Sequence, residues 1–491
     1  MSANSTPRLH LSPCRSAALL LSALLSACTS LAPSYERPAA PVAARFPNTS
    51  HTAGATTALI TWQSFFSDAR LQRLITLALQ NNRDLRLAVL NIEAARAQFD
   101  IRRADTWPSL SAGLSGARQP TSAGAISSTY TAGVLVTAYE LDLFGRVRSL
   151  ADAALAQYLA SEEARKAAHI SLLSSVASGY YALQADEELL RVTLETLRTR
   201  EDSLRLIRLR FDKGASSQID LRQAESLLES ARATLAQVTR QRALDENALV
   251  LLIGQSLPLD LAPSQAAAPG RPKQGSPLGG QGGHEVPSVG ALPDLPVGLP
   301  SEVLLRRPDV RQAEQQLIAA NANIGAARAA FFPRISLTGS LGNVSSELSG
   351  LFDKGLAWSF APQLLQPIFD AGRNQANLKL SEVSRDIALT QYERTIQSAF
   401  REVADALAGR ATLGEQLRAQ QAQVMAEQDR FSLAELRYRS GAASFLDVLD
   451  AQRSLFSAQQ ARVQVQTLYL QNQIALYRVL GGGWTTDAQM R

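Results

Sequence analysis

The chain has 491 residues, a formal net charge of +5 and only 6% aromatic residues. Ala, Leu, Gln and Arg dominate, a balance that suits long helices better than a compact enzyme core. The modest charge, with acids and bases alternating along helical stretches, argues against a nucleic-acid partner.

The first element in chain order is an export signal. Arg8 and Arg15 precede the apolar run AALLLSALLSA, which ends at Ala27 and is followed by Cys28. The run is far short of the ~20 residues that a spanning helix requires and has the form of a secretory signal peptide. Leu25-Ser26-Ala27-Cys28 resembles the bacterial lipobox, which makes Cys28 the expected lipidation site and first mature residue. Thr29, in place of Asp, directs such a lipoprotein to the outer membrane. The alternative is an ordinary signal peptide with a chance cysteine. The only other cysteine, Cys14, leaves with the signal, so no disulfide or nucleophilic thiol is expected. None of His10, His51, His169 and His284 has a neighbour at metal-ligand spacing, so no metal or cofactor is expected, and His169 is expected on a helix surface.

A helix is predicted over residues 68–103, ending before Trp107-Pro108, because proline disfavours helix at the residue before it. The period then changes to two. Leu110 and Leu114 alternate with Ser109, Ser111 and Ser115, and a second strand is predicted over residues 130–141. Strands of about ten residues with one apolar and one small polar face have the size and pattern of tilted transmembrane strands. An exposed soluble hairpin is the alternative. A very long helix over residues 145–211 follows, able to reach ~100 Å at ~1.5 Å per residue. Gly214 ends it, and Ser217-Gln218-Ile219-Asp220 has the form of a capping box that starts the return helix. Leu221, Ala224, Leu228, Ala231, Leu235 and Val238 then mark a heptad seam.

Residues 261–296, rich in Pro, Gly, Ser and Ala, read as a flexible linker. Its GGQGGH lacks the Lys-Ser/Thr and the strand-to-helix setting of a phosphate loop. Beyond it the first pattern recurs. A helix over residues 301–330 reaches Phe332-Pro333; Ile335, Leu337 and Leu341 alternate with Ser336, Thr338 and Ser340; a strand is predicted over residues 356–365 and a long helix over residues 372–438. Gly441, Ser444 and Asp447 repeat Gly214, Ser217 and Asp220, so Asp220 and Asp447 are expected as helix caps. Val448, Ala451, Leu455, Ala458 and Val465 continue the same seam. Asp84/Asp309, Arg86/Arg311, Pro108/Pro333 and Gly254/Gly481 coincide at a nearly constant offset, so the chain reads as a duplication.

Four strands are too few. Open sheet edges cannot face lipid, and the smallest membrane barrels have about eight strands, so several chains must share one barrel. The two tight helix hairpins are then the far tips of long antiparallel pairs. They differ in Asp450 for Gln223, Arg439 for Asp212, Ser440 for Lys213 and Leu446 for Ile219. Around a cyclic axis, an Arg–Asp bond between neighbours would close the second tip. The alternative is a solvated pair worth at most ~1 kcal/mol.

LSAC, NNRDLRLAVLNIEAARAQ, ELDLFGRVRS, GLPSEVLLRRPDVRQAEQQL, AAFFPRISLTGSLG, QPIFDAGRNQAN and RYRSGAASFLDVLDAQRSLF together resemble outer-membrane efflux lipoproteins of the TolC superfamily, NodT/OprM-like branch. The resemblance implies a mainly α chain with a membrane β-barrel. In that fold, four strands per chain build a twelve-stranded homotrimeric barrel above a periplasmic helical tunnel. It implies a passive exit duct, lipid-anchored in the bacterial outer membrane, that works with a periplasmic adaptor and an inner-membrane pump of the resistance-nodulation-division type. By position, Arg437, Tyr438, Arg439, Leu446 and Asp450 match the family's periplasmic gate, and the tips at Gly214, Ser217, Gly441 and Ser444 match its adaptor contacts. The organisation expected is a signal peptide (1–27), an anchored segment (28–67), a first repeat (68–260), a linker (261–300), a second repeat (301–484) and a tail (485–491). The linker around residues 270–288 is longer and richer in glycine than the family's usual connection. A type I secretion duct and a poreless lipid-anchored coiled-coil scaffold are the alternatives. No constellation of catalytic residues appears.

Overall fold

The structure, a computed structural model, describes residues 30–47, 61–122, 124–258, 260–261, 292, 301–353 and 355–482. The signal peptide, the lipidation site expected at Cys28 and most of the linker lie outside them. In chain order the elements are α1 (Trp62–Phe65), α2 (Ala69–Asn81), α3 (Arg83–Ala104), β1 (Leu110–Pro120), β2 (Ile126–Leu141), α4 (Arg146–Asp212) and α5 (Gln218–Ile253). A 3₁₀ turn (Ser301–Arg306) then leads to α6 (Pro308–Ala329), β3 (Arg334–Ser345), β4 (Leu356–Leu365), α7 (Arg373–Arg439) and α8 (Phe445–Val479). The order helix, β-hairpin, 67-residue helix, return helix occurs twice.

Two expected helices start differently. The single helix expected over residues 68–103 is broken at Asn82, whose backbone is extended (ψ 129°). The buried Asn82 side chain uses both ends: Oδ1 accepts from Leu85 N–H at 2.8 Å and Nδ2 donates to Leu252 O at 2.9 Å. Local capping by an Asn side chain outcompetes helix continuation there. The second repeat's helix begins at Pro308 rather than Ser301, because proline favours the first helical position and keeps its predecessor out of the helix. The buried Arg307 side chain donates to Val479 O at 3.2 Å and pairs with Asp309 and Glu402. In each repeat, a side chain near the beginning thus seals the C-terminal carbonyls of the last helix.

The chain divides into two compact units. The first contains Leu90–Glu163, Arg311–Thr395 and the N-terminal segment through Ala40. It holds one four-stranded antiparallel sheet, ordered β1-β2-β3-β4. β2 begins at Ile126, four residues earlier than expected, and is interrupted between Val136 and Tyr139, with Ala138 at φ 50°. Residues 30–37 are tied to α6: Asn321 donates to Pro33 O at 2.7 Å, Arg328 to Leu31 O at 3.3 Å, and Arg37 forms a two-pronged pair with Glu314 at 2.6 and 3.0 Å. Gly325 admits this segment, because a side chain there would press into Ala32 and Ser149.

The second unit contains Pro41–Val89, Ala164–Val310 and Ile396–Arg491. Phe65 stacks on Tyr477 at 4.1 Å, and the Tyr180 hydroxyl donates to Asp68 at 2.7 Å. Ala224, Leu228, Ala231 and Val238 of the predicted seam are buried, as are Val448, Ala451, Leu455, Ala458 and Val465. His169 departs from its expected surface position. It is half-buried, and burial, with Arg165 adding to it, holds its imidazole below the usual pKa.

Candidate membrane sheet and helix-tip gate

The sheet sorts its side chains by register. Leu110 pairs with Val136, Val134 with Leu341, Leu341 with Trp358 and Ile335 with Leu364, giving one apolar face. On the other face Ser115 and Thr131 share a hydrogen bond of 2.6 Å, and Ser340 and Ser359 one of 2.7 Å. Trp358, Phe360 and Leu364 are exposed on the apolar side. Among the described residues no helix is long and apolar enough to cross a membrane. The outer strands β1 and β4 each leave one edge unpaired.

The two helix tips share one backbone. After α4, Gly214 takes φ 72°, its N–H donates to Phe211 O, and Ala215 N–H donates to Arg210 O at 2.7 Å. After α7, Gly441 takes φ 75°, its N–H donates to Tyr438 O, and Ala442 N–H donates to Arg437 O at 2.8 Å. Both are Schellman closures, which favour glycine at the left-handed position. Ser217 then caps α5 and Ser444 caps α8, each in a reciprocal box with Asp220 or Asp447. Hydrogen bonds from Ser217 hold the Asp220 carboxyl below its ordinary pKa.

The gate candidates divide into separate contacts. Arg439 bonds Glu435 one turn earlier at 2.5 Å. Asp450 is held between Arg430, at 2.5 Å, and Arg453. Within one chain Arg439 and Asp450 therefore have different partners. The hydrogen bond to Asp450, followed by that to Glu427, raises the Arg430 pKa. The Arg437 guanidinium donates to Ala442 O at 3.4 Å. Tyr438 lies under the Arg210 guanidinium, accepts a hydrogen bond from it, and packs against Phe445 at 5.3 Å.

Beneath these groups Ile207, Ala224, Phe445, Val448 and Leu449 form a buried cluster drawn from α4, α5 and α8, with Phe431, Ala434 and Tyr438 of α7 packed on it. Arg210, Arg430, Arg453 and Phe445 were not singled out by sequence. Arg453, three residues after Asp450 on a helix, was legible from spacing. Arg430 lies on the other helix of the hairpin and was visible only through the register of the pair.

An antiparallel sheet with one apolar face and open edges, in a chain that also carries two capped helix hairpins, points to the class: an outer-membrane channel protein. The chain belongs to the outer membrane efflux protein family, whose model matches residues 74–255 and 299–482. It is 47% identical over 478 residues to the toluene efflux pump outer membrane protein TtgI of Pseudomonas putida, covering 94% of this chain and 97% of that protein. It is 48% identical over 480 residues to outer membrane protein OprJ of Pseudomonas aeruginosa, covering 95% of each. The open state of the Neisseria gonorrhoeae MtrE outer membrane channel superposes with a TM-score of 0.79 at 39% identity, covering 94% of this chain and all of that one. The protein is thus an outer-membrane efflux channel of TolC-like fold and not an enzyme.

Proposed function

We propose that three copies close one twelve-stranded barrel and that the trimer is the exit duct of a tripartite pump, receiving cargo from a periplasmic adaptor and an inner-membrane pump of the resistance-nodulation-division type. The observation that carries this reading is the four-stranded sheet with two unpaired edges, which cannot stand alone in lipid. The cargo is small organic molecules, as the solvent, toluene and antibiotic pumps among the relatives suggest. Cys28 carries the lipid anchor, and the chain is organised as two repeats, residues 68–260 and 301–484. The tips at Gly214, Ser217, Gly441 and Ser444 meet the adaptor. Arg437, Tyr438, Arg439, Leu446 and Asp450 form the periplasmic gate, with Arg430 and Arg453 holding Asp450 in its resting position.

Single-channel recording in planar bilayers tests the gate: Asp450→Ala combined with Arg439→Ala raises conductance, and an unchanged conductance removes these residues from the gate. A deletion strain tests the cargo. It becomes sensitive to solvents and antibiotics while its protein secretion is unaltered.

A further inference from the structure

At one end of the sheet, β1 begins, β2 ends, β3 begins and β4 ends, since Leu110 pairs with Val136, Leu141 with Ile335 and Arg334 with Leu365. There a cavity of about 310 Å³ opens, walled by Leu141, Phe144, Phe332, Pro333, Leu365 and Pro367. Phe144 and Phe332 stack at 4.7 Å and give it an aromatic wall. Arg146 and Arg334 also line it, both anchored on Glu140 at 2.7 Å. Asp142 stands at the rim, with Oδ2 accepting from Arg148 N–H at 2.7 Å.

The same end of the sheet, at its opposite edge, carries an aromatic side chain in open solvent. Trp107, three residues before β1, is 74% exposed. Its backbone is nonetheless fixed. Trp107 N–H donates to Ala104 O at 2.9 Å, and the Tyr139 hydroxyl donates to Thr106 O at 3.1 Å. An exposed indole on a fixed backbone is partly preorganised for contact, because the turn has already met the backbone share of its ordering cost. Within the chain, the Leu365 wall of the cavity lies three strand spacings of about 4.8 Å from β1. When the β4 edge of one chain pairs antiparallel with the β1 edge of the next, the neighbour's first strand starts one spacing from Leu365.

We infer that this cavity is the socket for Trp107 of a second copy, so that each barrel seam is locked by an indole at its helix-proximal end. The inference rests on the trimeric reading above. The chemistry matches on three sides. The aromatic and proline walls suit an indole face, the Arg334 guanidinium can lie against its π-surface, and the indole N–H finds an acceptor in the rim carboxylate of Asp142. A volume of about 310 Å³ is at the low end of the ~300–1,000 Å³ range of ligand pockets, suited to one bicyclic ring rather than a larger solute.

The test is disulfide trapping in isolated outer membranes, using the full chain carrying Trp107→Cys together with Pro367→Cys. The natural chain, with only Cys14 and Cys28, is the background. Oxidation converts most of the double variant into linked dimers and trimers, while neither single variant forms the ladder. Because losing the indole could itself disturb assembly, a photoreactive benzoyl-phenylalanine at position 107 is the second arm. Its adducts map to residues 330–334 or 365–367 of another chain. If the natural protein is trimeric by chemical cross-linking but the double variant gives no ladder and the photoadducts map elsewhere, the socket is overturned and the duct stands. A monomeric natural protein overturns both.

Discussion

The two helix tips are the same device built twice, with different interiors. The left-handed glycine, the two backbone hydrogen bonds that close the turn, and the Ser–Asp capping box are shared. The position after the cap is not. Gln218 is exposed at the first tip, whereas Phe445 at the second is 8% exposed and sits in the cluster that joins all four helices. Ile219 is 74% exposed and its counterpart Leu446 43%. Gln223 is neutral and its counterpart Asp450 is gripped by two arginines. The turn is a shared solution to reversing a helix. Each tip holds a carboxylate between two arginines, Glu225 between Arg208 and Arg222 at the first and Asp450 between Arg430 and Arg453 at the second, but the second adds the aromatic anchor.

The largest break in this comparison comes from the anchor. Phe445→Ala costs about 3–5 kcal/mol, as for buried aromatic truncations, and lowers the thermal midpoint, while Gln218→Ala stays within about 0.5 kcal/mol. Equal losses would mean that the cluster does not depend on the second tip. Next come the caps, which should behave alike: Ser217→Ala and Ser444→Ala each cost about 1 kcal/mol. A marked asymmetry in urea midpoints would contradict the shared-backbone description. Asp450→Ala is smaller still in stability, below about 1 kcal/mol, because the ion pairs are solvent-exposed. It nonetheless changes conductance, whereas Gln223→Ala changes neither.

The smallest effect is a pH dependence at the first tip. The folded-state pKa of Asp220 lies below its ordinary 3.8. Its contribution is therefore present above that value and fades as pH falls through the lowered folded pKa. Amide exchange at residues 217–221 should lose protection relative to the helix shafts only as pH falls below 3.8, and Asp220→Asn should abolish that change.

Much of this was legible before the structure. Period-two alternation located all four strands, and β4 matched residue for residue. Both 67-residue helices began and ended within a residue of their expected bounds, because glycines that adopt positive φ mark the ends. Contacts between elements distant in sequence were not legible. The hydrogen bond from Asn82, at the break between α2 and α3, to Leu252 joins residues 170 apart, and no local pattern announces it. The partners of Asp450 depend on the register of α7 against α8, which a heptad pattern fixes only to within a turn. His169 was expected on a helix surface, yet it is half-buried.

The end seals of the two repeats have a consequence for how the molecule can be made. Asn82 closes onto Leu252, and Arg307 closes onto Val479. Neither closure uses the covalent link between residues 261 and 301. Each repeat therefore fastens its own start to its own finish, as separate pieces of a kit would. Two polypeptides, cut within that link and each exported behind its own signal, should find one another and complement a strain lacking the intact chain.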